Sequence, residues 1–427
     1  MLSSSADPAY PAAATGLEVR PFRALVYRRR DPGHLARVSS PAYDLVTPEG
    51  RDRLAAADPH NIVRLILPRV ASGPDGADAL HRAVAEAAGT LRDWERTGVL
   101  ERDAGPALWV YTLRPSDGAP ETVGWLAAVG VPAAGSRAVL PHEDTFPGAV
   151  EGRRALLAAT ATDLEPIVLA HDPHPGLPAL TAAAQDGAPT LEVTDADGVR
   201  HALWRVTDPV LTGPVTAALA ETGAVIADGH HRFAAARAHG ARAVLALVTP
   251  MGPGGLQVQP IHRLVPDLVL DEALAAASAG FRVTELPQGS EAVAEVVRRW
   301  IADPLESGLL VSDGARLVRL GSPTGKVLDA VPREAPGAWR GLDVVLAHHG
   351  LVQRLWSRDS DDGVVIAHGV EEALDGARRR SGVALLLRAP SPADVAAVAR
   401  ANARMPRKST LFVPKPRTGL VLRPHDD

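Results

Sequence analysis

A short apolar run, a glycine and a helix opening follow one another in Ala224-Val225-Ile226-Ala227-Asp228-Gly229-His230-His231-Arg232-Phe233-Ala234-Ala235-Ala236. The apolar residues have the length of a buried strand, and the pattern behind the glycine is helical up to His239, with Gly240 as its stop. A strand that ends in glycine and opens a helix leaves backbone N–H groups without intrahelical partners, at the positive end of the helix dipole. Such a place holds anions. Gly229 would let a ligand approach the backbone, His230 and His231 offer ring donors, and Arg232 offers a planar fork suited to phosphate or carboxylate. The alternative is a plain helix start with surface histidines and an arginine paired to Asp228.

Working outward, the run Ala243 to Val248 reads as the next strand, so strand, turn, helix and strand follow with little slack. Thr190 to Thr194 and Val199 to Val206 flank Asp195-Ala196-Asp197-Gly198, a hairpin turn whose residues tolerate positive φ. Ala107 to Leu113 and Thr122 to Val131 make a second hairpin. Leu17 to Tyr27 reads as a first strand and Asn61 to Leu67 as a short buried strand. Thr47 caps a helix opening at Pro48, and Asp78 to Thr97 has helical spacing. Toward the C-terminus, Ser307 to Leu320 reads as a hairpin turning at Asp313-Gly314 and Leu342 to Leu355 as a helix. Val383 to Leu387 reads as a buried strand leading to a helix capped by Ser391. The fold class expected is α/β, mixed with α+β. Residues 1–16 form a disordered tail, 17–267 a core with inserted hairpins and helices, and 268–427 a C-terminal α+β region.

Composition narrows the chemistry. At 427 residues the chain can bury a large core without metal or disulfide staples, and zero cysteines removes thiolate catalysis and cysteine-based zinc sites. A net charge of -5 without long basic runs argues against nucleic acid as a partner. No apolar run approaches a membrane span, and the opening residues lack the basic and apolar regions of a signal, so a soluble cytoplasmic protein is expected. The only three lysines are Lys326, Lys408 and Lys415, and the last two stand close together in a chain that otherwise uses arginine. That pairing points to a place where a compact ammonium is wanted.

Two further groups carry candidate chemistry. His142-Glu143-Asp144-Thr145, followed by Arg153-Arg154, places acid, base and guanidinium in a loop and helix start, as a general base beside an anion clamp requires. Tyr43-Asp44, braced between Pro41 and Pro48, offers a second carboxylate for the same role. Turn formation and helix capping are the plain readings of both. A histidine-based metal site would need His230 and His231 to recruit His142, Glu143 and Asp144, and no residue is assigned as a metal ligand.

At these residues the sequence resembles domain-of-unknown-function family 1015. The resemblance rests on Arg20-Pro21-Phe22-Arg23-Ala24, Pro41-Ala42-Tyr43-Asp44, Asn61-Ile62-Val63-Arg64-Leu65, His142-Glu143-Asp144-Thr145, Ala227 to Arg232, Ile261-His262-Arg263 and Met405-Pro406-Arg407-Lys408-Ser409-Thr410. The segment Asp228 to Ala236 is also similar to the phosphate-binding element of ParB-type partition proteins, sulfiredoxins and the free-serine kinases of ParB-like fold. What this resemblance implies is a ParB/sulfiredoxin-like nucleotide-handling core with a large insertion. The activity implied is a kinase-like phosphotransferase acting on a small hydroxyl-bearing metabolite, with free serine the first candidate. Asp228, Gly229, His230, His231 and Arg232 would hold the phosphates of ATP or ADP with Mg²⁺. Arg153 and Lys408 would neutralise transferring charge, the Lys408 segment closing over the core with Ser409 among the nucleotide-binding residues, while Asp44 or Glu143, with His142, would handle the hydroxyl proton. Two rivals stay open: a non-catalytic or slowly hydrolysing nucleotide-binding switch of ParB type, and a metal-dependent phosphatase.

Overall fold

Apolar runs long enough to be buried on both faces become the middle of a mixed sheet. In the computed structural model, which describes residues 16–70, 76–287, 291–303, 305–359 and 363–425, the chain divides into two compact units. The first comprises the chain up to Pro141, Thr145–Leu256 and Pro414–Asp427; the second comprises His142–Asp144 and Gln257–Val413. The division falls ahead of Asp267, and the last fourteen residues return to the first unit because Leu422 and Arg423 pair with Leu25 and Asp163. The expected N-terminal tail lies outside the described residues, save Gly16.

In the first unit the strands are β1 (Val19–Arg20), β2 (Leu25–Tyr27), β3 (Leu100–Arg102), β4 (Leu108–Arg114), β5 (Thr122–Gly130), β6 (Val139–Leu140), β7 (Thr162–Asp163), β8 (Ile167–His171), β9 (Leu191–Thr194), β10 (Arg200–Val206), β11 (Ala224–Asp228) and β12 (Ala243–Pro250), with a C-terminal strand Arg423–Pro424 on β7. The main sheet runs β6-β11-β8-β12-β5-β4-β10-β9, with β1 on β5. Only β11 with β6 and β12 with β8 are parallel. The sheet is therefore mixed, and the protein is α/β. Its helices are α1 (Pro32–Val38), α2 (Pro48–Ala57), α3 (Val63–Ile66), α4 (Gly76–Thr97), α5 (Pro147–Thr160), α6 (Leu177–Ala184), α7 (Pro209–Ala220) and α8 (His230–His239). Val110, Trp125, Ile167, Ile226, Phe233 and Ala246 share one core.

The two hairpins expected in this unit form, β4 with β5 and β9 with β10. In the second, Asp195 Oδ1 accepts from the N–H groups of Asp197 and Val199, and Gly198 takes φ 81°. Two expectations need correction. Leu17 to Tyr27 is not one strand: β1 joins the main sheet and β2 pairs with β3, with Pro21 between them. Asn61 to Leu67 is not a strand but the single-turn helix α3, because the buried Asn61 side chain accepts from Val63 N–H and donates to the Arg37 and Ser39 carbonyls, which starts a turn. A short apolar run carries no period that separates the two outcomes.

The second unit holds a six-stranded sheet that includes His262–Val265, Leu309–Ser312, Leu317–Gly321 and Val383–Leu386. The expected helix across Leu342 to Leu355 starts as an α turn at Asp343–Val345 and continues as a π-helix over Leu346–Leu355. Ser391 and Asp394 form a reciprocal capping box on Pro392–Arg400. No helix among the described residues is long and apolar enough to cross a membrane.

Candidate functional site

The strand β11 ends at Asp228, and Gly229 turns the chain into α8 with φ 94° and ψ 28°. A side chain there would be strained by that φ, and its Cβ would meet Ile167 Cγ2 at 2.7 Å, so glycine is required by turn and packing together. No side chain of the N-cap residue caps the start of α8. Phe146, at the start of α5, donates its N–H to His231 Nε2, and the two rings stack at 5.9 Å between centroids.

Asp228 is the hub. Arg232, one turn along α8, donates through Nη2 to Asp228 Oδ2 and through Nη1 to the Pro166 carbonyl. Lys415 approaches from the returning C-terminal segment, its Nζ 2.7 Å from Asp228 Oδ1 and also bonded to Asp44. Burial alone would raise the Asp228 carboxyl, yet Arg232 and Lys415 hold it below the usual carboxylate range. Burial would lower the Lys415 ammonium, and Asp228 and Asp44 raise it instead. Arg232 Nε is buried without a hydrogen-bond partner among the described residues.

Asp44 sits in a single 3₁₀ turn, Tyr43–Leu45, and that turn is anchored on both sides. Tyr43 N–H donates to the buried Glu165 Oε1, which also accepts from Thr418 Oγ1. The Arg153 guanidinium lies 4.0 Å over the Tyr43 ring, with Arg232 at 5.6 Å, and Arg153 donates to the Ile66 carbonyl. A small cavity of about 50 Å³ is bordered by Arg153, Glu165 and Arg232.

A buried relay fixes the segment that carries Lys415. Asp195 Oδ2 lies 3.1 Å from His201 Nε2, His201 Nδ1 lies 2.9 Å from Tyr111 Oη, and Tyr111 Oη accepts from Arg417 N–H. Arg417 in turn donates to Ser39 Oγ and to the Ser39 and Ala36 carbonyls, at the end of α1. Two residues from Lys415, the backbone is thus tied to the sheet through β4 and β10.

The other expected residues gather in the second unit. Glu143 accepts from Ser409 N–H and Thr410 Oγ1, and His142 Nε2 lies 2.9 Å from Thr410 Oγ1. Burial pushes the Glu143 carboxyl up, against the Ser409 N–H and the Lys408 charge. Lys408 adopts φ 57°, and its carbonyl accepts from Arg263. So Asp44, Arg153, Asp228, Gly229, His231 and Arg232 come together in one unit, and His142, Glu143, Lys408 and Ser409 in the other. Lys415, Glu165 and the Tyr111 relay were not assigned from sequence. Lysine scarcity pointed at Lys415; nothing local marks the others. Among the described residues no group of three or more His, Asp or Glu side chains is arranged to hold a metal.

Residues 19–345 match the family model described as "Protein of unknown function (DUF1015)". The chain belongs to this family. No curated protein matches this DUF1015 chain. Similar solved structures include a conserved hypothetical protein from Pyrococcus furiosus, with 14% identity, 69% of this chain and 95% of that chain covered, and a TM-score of 0.35. A free serine kinase in complex with AMP has 14% identity, 70% and 93% coverage and a TM-score of 0.37. SbnI with C-terminal truncation from Staphylococcus aureus has 14% identity, 71% and 90% coverage and a TM-score of 0.38. Likenesses this distant do not bear on what the DUF1015 chain binds.

Proposed function

We propose that this protein is a nucleotide-dependent phosphotransferase acting on a small hydroxyl-bearing metabolite, free serine first, with a ParB-like phosphate grip at Asp228 to Arg232. The observation that carries the reading is Lys415 Nζ bridging Asp44 and Asp228 where Gly229 opens α8. Three cations, Lys415, Arg153 and Arg232, stand with three carboxylates, Asp44, Glu165 and Asp228, so the local charge is balanced and it is the positive end of the helix dipole and the mobile ammonium that favour phosphate.

Each residue then has a task. The N–H groups at the start of α8 would receive phosphate oxygens, with His230 and His231 beside them. Lys415 would turn from Asp44 to the transferring phosphoryl group, and Arg153 would oppose the charge that builds there. Released from the ammonium, Asp44 becomes the acceptor for a proton. Transfer exchanges one phosphorus–oxygen bond for another: the hydroxyl oxygen bonds to the terminal phosphorus, the bridging oxygen leaves with ADP or AMP, and the hydroxyl proton passes to Asp44. Arg232, whose fork already serves Asp228 and Pro166, acts as a positioning residue for Asp228. Asp228 is neutralised by its neighbours, so Mg²⁺ accompanying the nucleotide would be held chiefly by phosphate oxygens and water.

The test is ³¹P NMR of the full chain with ATP or ADP and free hydroxy amino acids. A new phosphate monoester that disappears in Lys415→Met supports the reading. Comparing Asp44→Asn with Glu143→Gln tells which carboxylate takes the proton. Nucleotide binding without any ester in every combination would replace the kinase reading with a nucleotide-binding switch.

A further inference from the structure

A second charged cavity lies in the first unit, where the proposed chemistry does not use it. It has a volume of about 450 Å³, within the range of small-molecule sites, and is an open cleft lined chiefly by α2, α3 and α4. Arg64, from the Asn61 to Leu65 motif that the proposed function leaves unexplained, is one of its walls. None of Asp44, Asp228, Arg232 or Lys415 lines it.

The charges there are incompletely matched. Arg51 Nη1 and Arg69 Nη2 both donate to one carboxylate oxygen, Asp52 Oδ1, at 3.1 and 2.6 Å. Arg64 donates to the Ala55 carbonyl, its Nε is buried without a hydrogen-bond partner, and it makes no ion pair among the described residues. Glu86, on the α4 wall, makes none either. Three guanidiniums therefore face two carboxylates, one of them shared. Between the charges the surface is alanine: Ala55, Ala83 and Ala87 are buried and form an apolar floor.

We propose that this cavity binds a small organic anion, its phosphate or carboxylate head held by Arg64 with Arg51 and its apolar body lying on the alanine floor. A guanidinium presents paired donors that match either oxyanion, and Arg64, half-buried and without a carboxylate partner among the described residues, is the arginine best placed to donate to such a head. The floor offers no hydrogen-bond partner, so it selects for an apolar body. A bare inorganic ion would leave most of the volume unfilled.

The experiment is calorimetric titration of the full chain with phenyl phosphate, benzoate and inorganic phosphate. Either organic anion should bind at least roughly tenfold more tightly than inorganic phosphate, because only it covers the floor, and the better of the two identifies the head group. Arg64→Ala should weaken that binding by roughly tenfold or more. Ala56→Trp plugs the cavity from its exposed rim without removing charge, and should weaken it equally while leaving the melting temperature unchanged. Binding that survives both variants, or absence of binding up to roughly 10 mM, overturns the proposal. The Lys415→Met variant should bind the organic anion normally, so a failed kinase assay leaves this inference standing.

Discussion

Lys415 and Asp228 stand 187 positions apart in the chain and 2.7 Å apart in the structure. Their contact joins the C-terminal segment to the turn that opens α8, and Asp44 completes it on the other side of the ammonium. Both lysine and aspartate are largely withdrawn from water, with side-chain exposures of 7% and 14%. A contact of this kind is costly to break from one side, because the partner is left charged and dry.

Lys415→Met should therefore lower the stability of the chain by roughly 3 kcal/mol, the scale for removing one member of a buried pair. The urea midpoint should fall with its slope unchanged. Adding Asp44→Asn should recover part of the loss, since the two changes touch one network. Strictly additive losses would mean that the two residues are not coupled.

Arg232→Lys keeps the charge but cannot serve Asp228 and the Pro166 carbonyl with one planar group. The expected cost is roughly 2 kcal/mol, typical of a hydrogen bond to a charged group. Denaturant unfolding measures it. A variant as stable as the parent would show that the fork is free for another task.

The carboxyls of Glu143 and Asp228 are displaced in opposite directions, and their pH signatures differ in sign. Glu143 is raised by burial, so its contribution to stability is fully present below the unfolded value and is lost as pH rises through the folded one. Glu143→Gln should be more stable than the parent at neutral pH and lose that advantage below about pH 4. Asp228 is depressed despite its burial, so its contribution is present above the unfolded value and lost as pH falls through the folded one. Asp228→Asn should be less stable at neutral pH, the gap closing below about pH 4. Unfolding curves at a series of pH values read both effects.

Tyr111→Phe removes the oxygen that accepts from Arg417 N–H and faces His201. Leaving a buried donor without a partner costs roughly 1–3 kcal/mol. The specific sign is local: amide exchange at Arg417 should accelerate more than exchange in the strands around it. Unchanged protection at Arg417 would show that Ser39 alone holds the segment.

What could be read without coordinates was what neighbours in sequence decide. Ala224 to Gly240 is legible because strand, glycine turn, helix and glycine stop are all local, and the turn at Asp195 to Gly198 and the Ser391 cap are legible for the same reason. Asn61 misled because its side chain reaches back to Arg37 and Ser39 and starts a turn that the apolar residues after it do not signal. The Lys408–Lys415 pair drew attention through the scarcity of lysine, but which member meets Asp228 depends on where the chain returns. Asp195, His201 and Tyr111 meet through the pairing of β4 with β10, where Tyr111 stands opposite Leu203, and no spacing within either strand announces that.

Arg153 holds the Ile66 carbonyl, and Arg51 holds the next one, at Leu67. These two arginines face different cavities, yet they grip successive peptide units at the end of a helix only four residues long. A one-turn helix has little length in which to absorb a shift, so if an occupant drew Arg51 away from Leu67, the support of Arg153 would be expected to change with it. Thermodynamic reciprocity then applies: whatever factor the first occupant imposes on binding beside Arg153, a ligand there returns to the first. The end of α3 is the fulcrum across which an organic anion would tune the affinity for phosphate.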